Sequence, residues 1–350
     1  MTKHIKINGR VIGSDCPPFV IAEMSANHNG DIQTAFRLIE VAKNAGASAV
    51  KLQTYRPDTI TIQSDLPDFQ LTQGPWAGRT LYDLYEWAHT PWDWHKALFE
   101  HAKKLDITIF SSPFDHTAID LLEDLNTPAY KIASFEAIDL PLIKLAASTG
   151  KPLIISTGIA NKDEIHEAIE AAREGGCKEL AILHCVSGYP APSEDYNLHT
   201  ITDMQSRYGL PTGLSDHTLD NTTAIASIAL GACIVEKHFT LDRTGGGPDD
   251  SFSLEPDGLK ELCTGAFTAW NALGRVHYDR KPSEEVNSQF RRSLYFVSDI
   301  KAGDIITNKH VRSIRPGFGL LPKQLPDVIG KTATKNVLRG TPVSLELFNN

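Results

Sequence analysis

Short apolar runs rich in β-branched residues recur along the first 240 positions, each followed by a longer stretch of amphipathic, helix-period pattern. The runs predict strands at Phe19–Glu23, Ala49–Gln53, Ile107–Ser111, Ala129–Ile132, Pro152–Ser156, Leu180–Cys185, Pro211–Ser215 and Ile234–His238. Apolar residues at helical spacing predict helices between them, among them Gln33–Ala45, Pro91–Leu105, Lys162–Glu174 and Thr222–Ala229. Gly46, Gly150, Gly175 and Gly231 stand just ahead of the next strand, where glycine suits the left-handed conformation that ends a helix. Eight strand–helix alternations fit an α/β fold, a (β/α)8 TIM barrel. A doubly wound sheet is the structural alternative, but no GxGxxG follows the first run, where such a sheet usually carries one.

Three segments depart from the alternation. Ile5–Ile12, around Asn8-Gly9, reads as a hairpin with an Asn-Gly turn, and residues 1–15 are expected to cap the bottom of the barrel. Arg56–Gly78 lacks helical periodicity and contains Pro57, Pro67, Gly74 and Pro75; loops of this length inside a compact domain are usually functional. Near Lys281-Pro282-Ser283 the alternation stops, and short strands broken by turns follow. The expected division is a barrel over 1–280, a linker over 281–290 and a small β-rich domain over 291–350.

Charge sharpens that division. The net charge of −9 disfavours nucleic acid and anionic membranes as partners. Residues 281–350 nevertheless hold 11 of the 34 basic and only 6 of the 43 acidic side chains, a net of +5 against −14 for the rest. Such a tail suits an anionic site, or docking on the acidic body. No apolar run reaches the ~18 residues of a membrane span, and the N-terminus lacks the apolar core of a secretory signal, so a cytoplasmic location is expected. Five cysteines without CxxC spacing indicate neither a disulfide framework nor a zinc site and read as buried small apolar residues.

Candidate chemistry gathers where the strands end, the face on which barrel active sites are built. Glu23, Lys51, Gln53, Tyr55, Ser112, Lys131, Ser134, Glu136, Ser156, His184, Tyr189, Ser215, Asp216, His217, Glu236 and His238 all fall there. A single polar strand end is commonly a cap, but polar residues at all eight ends indicate an occupied pocket. His217 and His238 end consecutive strands, which lie about 4.8 Å apart, so both imidazoles can reach one ion. With Asp216, Glu236 and Asp249 nearby and no third His or thiolate, a mixed site for Mn²⁺ or Mg²⁺ fits better than tetrahedral zinc. Lys51 and Lys131 suit either a Schiff base or a pair of cations for phosphate and carboxylate. Four hydroxyls, on Ser112, Ser134, Ser156 and Ser215, favour the second use. Thr244-Gly245-Gly246-Gly247-Pro248-Asp249 reads as a loop covering the site.

These blocks resemble the sialic acid synthase family along nearly the whole chain. The resemblance rests on Ala22-Glu23-Met24-Ser25-Ala26-Asn27-His28-Asn29-Gly30, Ala49-Val50-Lys51-Leu52-Gln53-Thr54, Ser111-Ser112-Pro113-Phe114, Tyr130-Lys131-Ile132-Ala133-Ser134, Gly213-Leu214-Ser215-Asp216-His217-Thr218 and Glu236-Lys237-His238. Arg291-Arg292-Ser293-Leu294, Asp299-Ile300-Lys301-Ala302-Gly303 and Arg315-Pro316-Gly317 resemble the family's C-terminal SAF (antifreeze-like, β-clip) domain. Within the family, Leu81-Tyr82-Asp83-Leu84-Tyr85-Glu86, Thr90-Pro91-Trp92-Asp93-Trp94-His95 and Ser134-Phe135-Glu136 look most like the pseudaminic acid synthases, with legionaminic acid synthesis the nearer rival.

The resemblance implies condensation of phosphoenolpyruvate with an amino-sugar aldehyde: carbon–carbon bond formation, then loss of phosphate by C–O cleavage. It implies phosphoenolpyruvate on Lys51, Ser112, Lys131, Ser134, Ser156 and Ser215. It implies a divalent metal (Mn²⁺ or Mg²⁺, with Co²⁺ a further option) on His217 and His238. Sugar contacts fall to Gln53, Tyr55, Tyr189 and Arg315, and acid/base and positioning work to Glu23, Glu136 and Asp249. It further implies a domain-swapped homodimer in which the tail covers the partner's site. Carboxylates beside two lysines are expected to stay ionised and to act as bases.

Overall fold

A computed structural model describes residues 3–349. The chain divides into two compact units, Met1–Gly274 and Arg275–Asn350.

The first unit is a closed barrel of eight parallel strands: β3 (Phe19–Glu23), β4 (Ala49–Thr54), β5 (Thr108–Pro113), β6 (Tyr130–Ile132), β7 (Leu153–Ser156), β8 (Leu180–Cys185), β9 (Thr212–Asp216) and β10 (Ile234–His238), with β10 closing on β3. The apolar runs mark every strand to within two residues. The helices at Lys162–Glu174 and Thr222–Ala229 match their periodic patterns, and Ile32–Ala45 begins one residue early, where the Asp31 side chain accepts from the backbone N–H groups of Gln33 and Thr34. Gly46, Gly150 and Gly231 take positive φ as expected, but Gly175 does not; its neighbour Gly176 takes that role.

Before the barrel, β1 (Ile5–Ile7) and β2 (Arg10–Ile12) pair antiparallel through a turn at Asn8 and Gly9, both at positive φ. Period-2 alternation sends Ile5, Ile7 and Ile12 to one face, where they pack with Phe19, Ile21, Phe110, Ile154, Leu183 and Ile234 in one buried cluster. The hairpin therefore plugs the N-terminal end of the barrel, as its position predicts. Burying those three isoleucines contributes on the order of 1.5–3 kcal/mol each. A second apolar layer lies between strands and helices, with Leu38, Ile39, Leu98, Val235 and Leu262 among its members.

With its N-terminal end plugged by hydrophobic side chains, the barrel is open to chemistry only at the C-terminal ends of its strands. The loop after β4 carries one helical turn (Pro57–Ile60) and a short 3-10 turn (Pro67–Phe69) before the capped helix Leu81–Ala88.

The second unit has its own core of Leu294, Phe296, Ile300, Ile306, Val311, Val328 and Val343. β11 (Ser293–Phe296) and β12 (Val311–Ile314) pair antiparallel, and bridges such as Ile300–Val337 and Ala333–Phe348 complete a β-rich module. The expected linker, 281–290, contains two short 3-10 turns, Pro282–Glu284 and Val286–Phe290. Among the described residues, no helix is long and apolar enough to cross a membrane.

Candidate active site

The strand register dictates which side chains meet. Glu23 stands opposite Lys51 across β3 and β4, His238 opposite Glu23 across β10 and β3, and Glu236 opposite Ser215 across β10 and β9. Residues two apart on a strand share a face, so Lys51 with Gln53, and Glu236 with His238, project together into the mouth. The same alternation sends Asp216 the other way. It pairs with Lys237 at 2.7 Å and bonds Thr218, away from the histidines, so proximity in sequence to His217 does not make it part of a metal set. Ser111 likewise bonds Thr54 in the outer layer, and His184 bonds the carbonyl of Tyr196.

Thirteen of the predicted residues line one cavity in the barrel mouth: Glu23, Lys51, Gln53, Tyr55, Lys131, Ser134, Glu136, Tyr189, Ser215, His217, Glu236, His238 and Asp249. Ser112 lies behind them, accepting from Lys51 Nζ at 3.1 Å. Ser156 is wholly buried with no hydrogen-bond partner for its hydroxyl. Arg315 belongs to the second unit, where it is exposed.

At the cavity floor four buried charged groups form a cluster. Lys51 Nζ is 2.7 Å from Glu23 Oε2 and 3.7 Å from Glu236 Oε1; Lys131 Nζ is 2.7 Å from the same Glu236 oxygen. Burial alone would lower Lys51, but Glu23 and Glu236 outweigh it and hold the ammonium above its ordinary value. A raised lysine disfavours the free amine that a Schiff base needs and suits Lys51 to a cationic role. Burial would raise Glu236, yet Lys131 and Lys51 together bring it below the usual range. Glu23 goes the other way, because burial exceeds the pull of Lys51 and Glu236 adds repulsion. Burial also pushes Glu136 up to about 7 and Asp249 up to about 6. Of the four carboxyls, the neighbouring lysines bring only Glu236 below its usual range; burial raises Glu23, Glu136 and Asp249. Two cations cannot offset the desolvation of four buried carboxyls.

The histidines form the second part of the site. Their ring centroids are 5.5 Å apart, with Tyr189 against both, at 4.3 Å from His217 and 6.1 Å from His238. His217 Nδ1 is 2.8 Å from the carbonyl oxygen of Val186, which leaves Nε2 for a ligand. Burial and the His217 charge hold His238 well below its ordinary value, hence neutral, and its Nδ1 has no hydrogen-bond partner. Asp249 Oδ2 is 3.8 Å from that nitrogen and accepts from Ser25. Gln53 donates to both Glu23 and Ser25, tying the two halves of the floor together.

Sequence reasoning gave Glu236 too small a part. It named the residue beside the histidines, but its carboxylate sits between both lysines; its position two before His238 on the same strand was the available signal. Cys185, expected only as a buried small apolar residue, accepts from Ser134 Oγ at 3.3 Å beside the cavity. Trp76 was not singled out at all. Its indole N–H donates to the carbonyl of Pro248 at 2.8 Å, joining the long loop to the glycine-rich segment. Gly158 also has a role: a Cβ there would lie 2.2 Å from Ser187 Oγ, 2.8 Å from Ser134 Oγ and 3.1 Å from Cys185 Sγ. The missing side chain lets the Ser187 and Ser134 hydroxyls pack directly against the backbone there.

A closed parallel barrel with a charged, histidine-bearing cavity at its strand ends defines a barrel enzyme. Residues 38–278 match the NeuB family and residues 291–349 match the SAF domain. The chain belongs to the NeuB family, with a C-terminal SAF domain, and is an enzyme of the transferase type. It is 42% identical to the pseudaminic acid synthase of Campylobacter jejuni subsp. jejuni serotype O:23/36 (strain 81-176), over 93% of this chain and 94% of that one. It is 41% identical to the pseudaminic acid synthase of Helicobacter pylori (strain ATCC 700392 / 26695), over 94% and 97%. Among solved structures, the N-acetylneuraminic acid synthetase of Leptospira borgpetersenii serovar Hardjo-bovis superposes with a TM-score of 0.73, at 31% identity, over 82% of this chain and 95% of that one.

Proposed function

We propose that this enzyme condenses phosphoenolpyruvate with 2,4-diacetamido-2,4,6-trideoxy-L-altrose, releasing phosphate and forming pseudaminic acid. The observation that carries the reading is the composition of the cavity. Its lining joins an ionic set, Lys51, Lys131, Ser134 and Ser215, to an apolar set, Ile60, Leu84, Ala88, Phe114 and Phe135. A phosphorylated carboxylate suits the first. A sugar with a methyl group at C6 and two acetamido methyls suits the second better than one with hydroxyls at those places, since each buried methyl contributes on the order of 0.8 kcal/mol.

Lys51 and Lys131 neutralise the donor's charge. The unpartnered hydroxyl of Ser156 and the Ser134 and Ser187 hydroxyls packed at Gly158 supply donors for phosphate oxygens. Holding both reactants against one floor makes the bond-forming step effectively unimolecular. Glu136, with a carboxyl near 7, can hold or pass a proton at neutral pH beside the sugar. His217 and His238 fit a divalent ion: two neutral-capable imidazoles, one with an unpartnered nitrogen, and a carboxylate beside them. When bound, Mn²⁺ or Mg²⁺ would supply Lewis acidity at the sugar aldehyde. The reading extends to a homodimer in which the SAF domain of one copy brings Arg315 to the other's cavity; the family membership and that side chain's exposure support it.

An acceptor panel tests the proposal: the L-altrose sugar, 2,4-diacetamido-2,4,6-trideoxymannose and N-acetylmannosamine, each with phosphoenolpyruvate and Mn²⁺, with phosphate release followed. Highest kcat/KM with the altrose sugar is expected. Dominant turnover of the 2,4-diacetamido mannose would make it a legionaminic acid synthase, and of N-acetylmannosamine an N-acetylneuraminate synthase.

A further inference from the structure

Away from the active site, at the plugged end of the barrel, three side chains of different chemistry converge. His4 Nε2 lies 2.5 Å from Asp15 Oδ1, and Cys16 Sγ lies 3.8 Å from that same oxygen. One ligand atom from each of the three lies within 4.8 Å of the other two. His4 leads into the capping hairpin and Asp15-Cys16 follow it, so the cluster joins the two ends of the plug just before β3.

The turn between them is built around the imidazole. Cys16 N–H donates to the Gly13 carbonyl at 3.0 Å, closing the turn that presents Asp15 and Cys16. Gly13 does not have a positive φ, so its backbone does not require glycine. Its need is steric: a Cβ there would lie 2.4 Å from His4 Cδ2 and 3.0 Å from His4 Nε2. The missing side chain is the seat of the His4 ring. Burial and the Asp15 carboxylate hold the Cys16 thiol above its ordinary value, with Arg10, which donates to the carbonyls of Pro17 and Pro18, opposing them, so a cation bound among the three would be what draws off the thiol proton.

We propose that His4, Asp15 and Cys16 form a binding site for a thiophilic divalent cation of the Zn²⁺ class, distinct from the active site, that clamps the N-terminal plug. Imidazole, carboxylate and thiolate are the usual zinc donors, and ligand atoms around a tetrahedral ion stand roughly 3.3–3.8 Å apart. The three groups reach that spacing by side-chain rotation: Cys16 is already near it, and His4 and Asp15 must part by about 1 Å. The Cys16 thiol gives its proton to solvent on binding, and water fills the fourth position. Hard ions such as Mg²⁺ would leave the site to water, because a thiolate and an imidazole are poor ligands for them.

The test uses the full-length protein and reads Cys16 directly. Its alkylation by N-ethylmaleimide is followed by peptide mass spectrometry with and without Zn²⁺, in wild type, Asp15→Asn and Gly13→Ala. Zinc at about ten times its Kd is expected to slow Cys16 labelling about tenfold in wild type. It should do so far less in either variant, while Mg²⁺ does nothing. Asp15 is largely exposed, so Asp15→Asn leaves the fold intact even if Gly13→Ala disturbs the plug. A His217→Ala/His238→Ala variant should retain the protection. Equal labelling of Cys16 with and without Zn²⁺ in wild type, or full protection in Asp15→Asn, overturns the proposal.

Discussion

Replacing Glu236 by Gln removes the charge that lies between the two cavity lysines. In the intact protein that carboxylate is 2.7 Å from Lys131 and 3.7 Å from Lys51, and it is almost wholly buried. With an effective dielectric near 20, these contacts are worth roughly 6 and 4.5 kcal/mol of gross Coulomb energy. Desolvation of the ions offsets much of that, so the net cost of breaking the set is about 3–5 kcal/mol. The two lysines are then left with Glu23, whose carboxyl burial holds above its usual range. Lys131 loses its carboxylate, while Lys51 keeps Glu23. The expected result is a fall in apparent Tm of roughly 6–20 °C, at about 2–4 °C per kcal/mol for a domain of this size. All five tryptophans lie in the first unit, so unfolding followed by tryptophan fluorescence reports the barrel. Lys131→Met should cost a similar amount, and Lys131→Met/Glu236→Gln should recover at least about 2 kcal/mol relative to the sum of the single changes. Phosphoenolpyruvate should stabilise Glu236→Gln more than wild type, because its anionic groups meet an extra uncompensated cation. A cost below about 1 kcal/mol for Glu236→Gln, or additive single changes, would refute the ionic floor as drawn.

Three further outcomes follow from the site. Glu136 has a folded-state carboxyl raised from 4.5 to about 7, so the native state binds its proton more tightly and the stability it contributes is lost as pH rises from about 4.5 through about 7. Glu136→Gln should therefore be more stable than wild type at pH 8, by up to about 3 kcal/mol, and no different near pH 4; a pH-independent difference in denaturant unfolding would contradict the assignment. Chelation should abolish turnover and Mn²⁺ restore it, with His238→Ala needing on the order of tenfold or more Mn²⁺ for half-activation; chelator-insensitive turnover would remove the metal from the reading. Mixing inactive Lys51→Met with inactive Arg315→Ala under conditions of subunit exchange should restore roughly a quarter of wild-type activity, since half the dimers then hold one intact site. No recovery despite verified exchange would count against a shared site.

The barrel was legible because its signals are local. Each strand is a run such as Leu180–Cys185 whose apolar continuity reflects burial on both faces, and each following helix carries its own period. The hairpin plug was readable for the same reason, from Asn8-Gly9 and alternating isoleucines. Less legible were the roles of side chains within one face. Asp216 and Glu236 look equivalent in sequence, each one or two residues from a histidine. Strand alternation sends one to Lys237 in the outer layer and the other between Lys51 and Lys131 in the mouth. Trp76 sits in a loop without periodicity, and its bond to Pro248 joins positions 172 residues apart, a relation with no local trace.

Protonation divides along the same line. Residue types alone place two lysines and several carboxylates at one rim, and pairwise attraction suggests that all stay charged. How many water molecules each group loses depends on the packing of eight strands around it, and desolvation grows with that packing faster than two ammonium groups can offset. So the sequence by itself determined the barrel, the plugged end, the loaded rim and the chemical types gathered there. The tertiary structure alone decided that two lysines hold Glu236 below its usual range, that burial raises Glu23, Glu136 and Asp249, and that apolar side chains such as Leu84 and Phe114 line the same cavity as the charged floor. Those are properties of distances and solvent access between segments far apart in the chain.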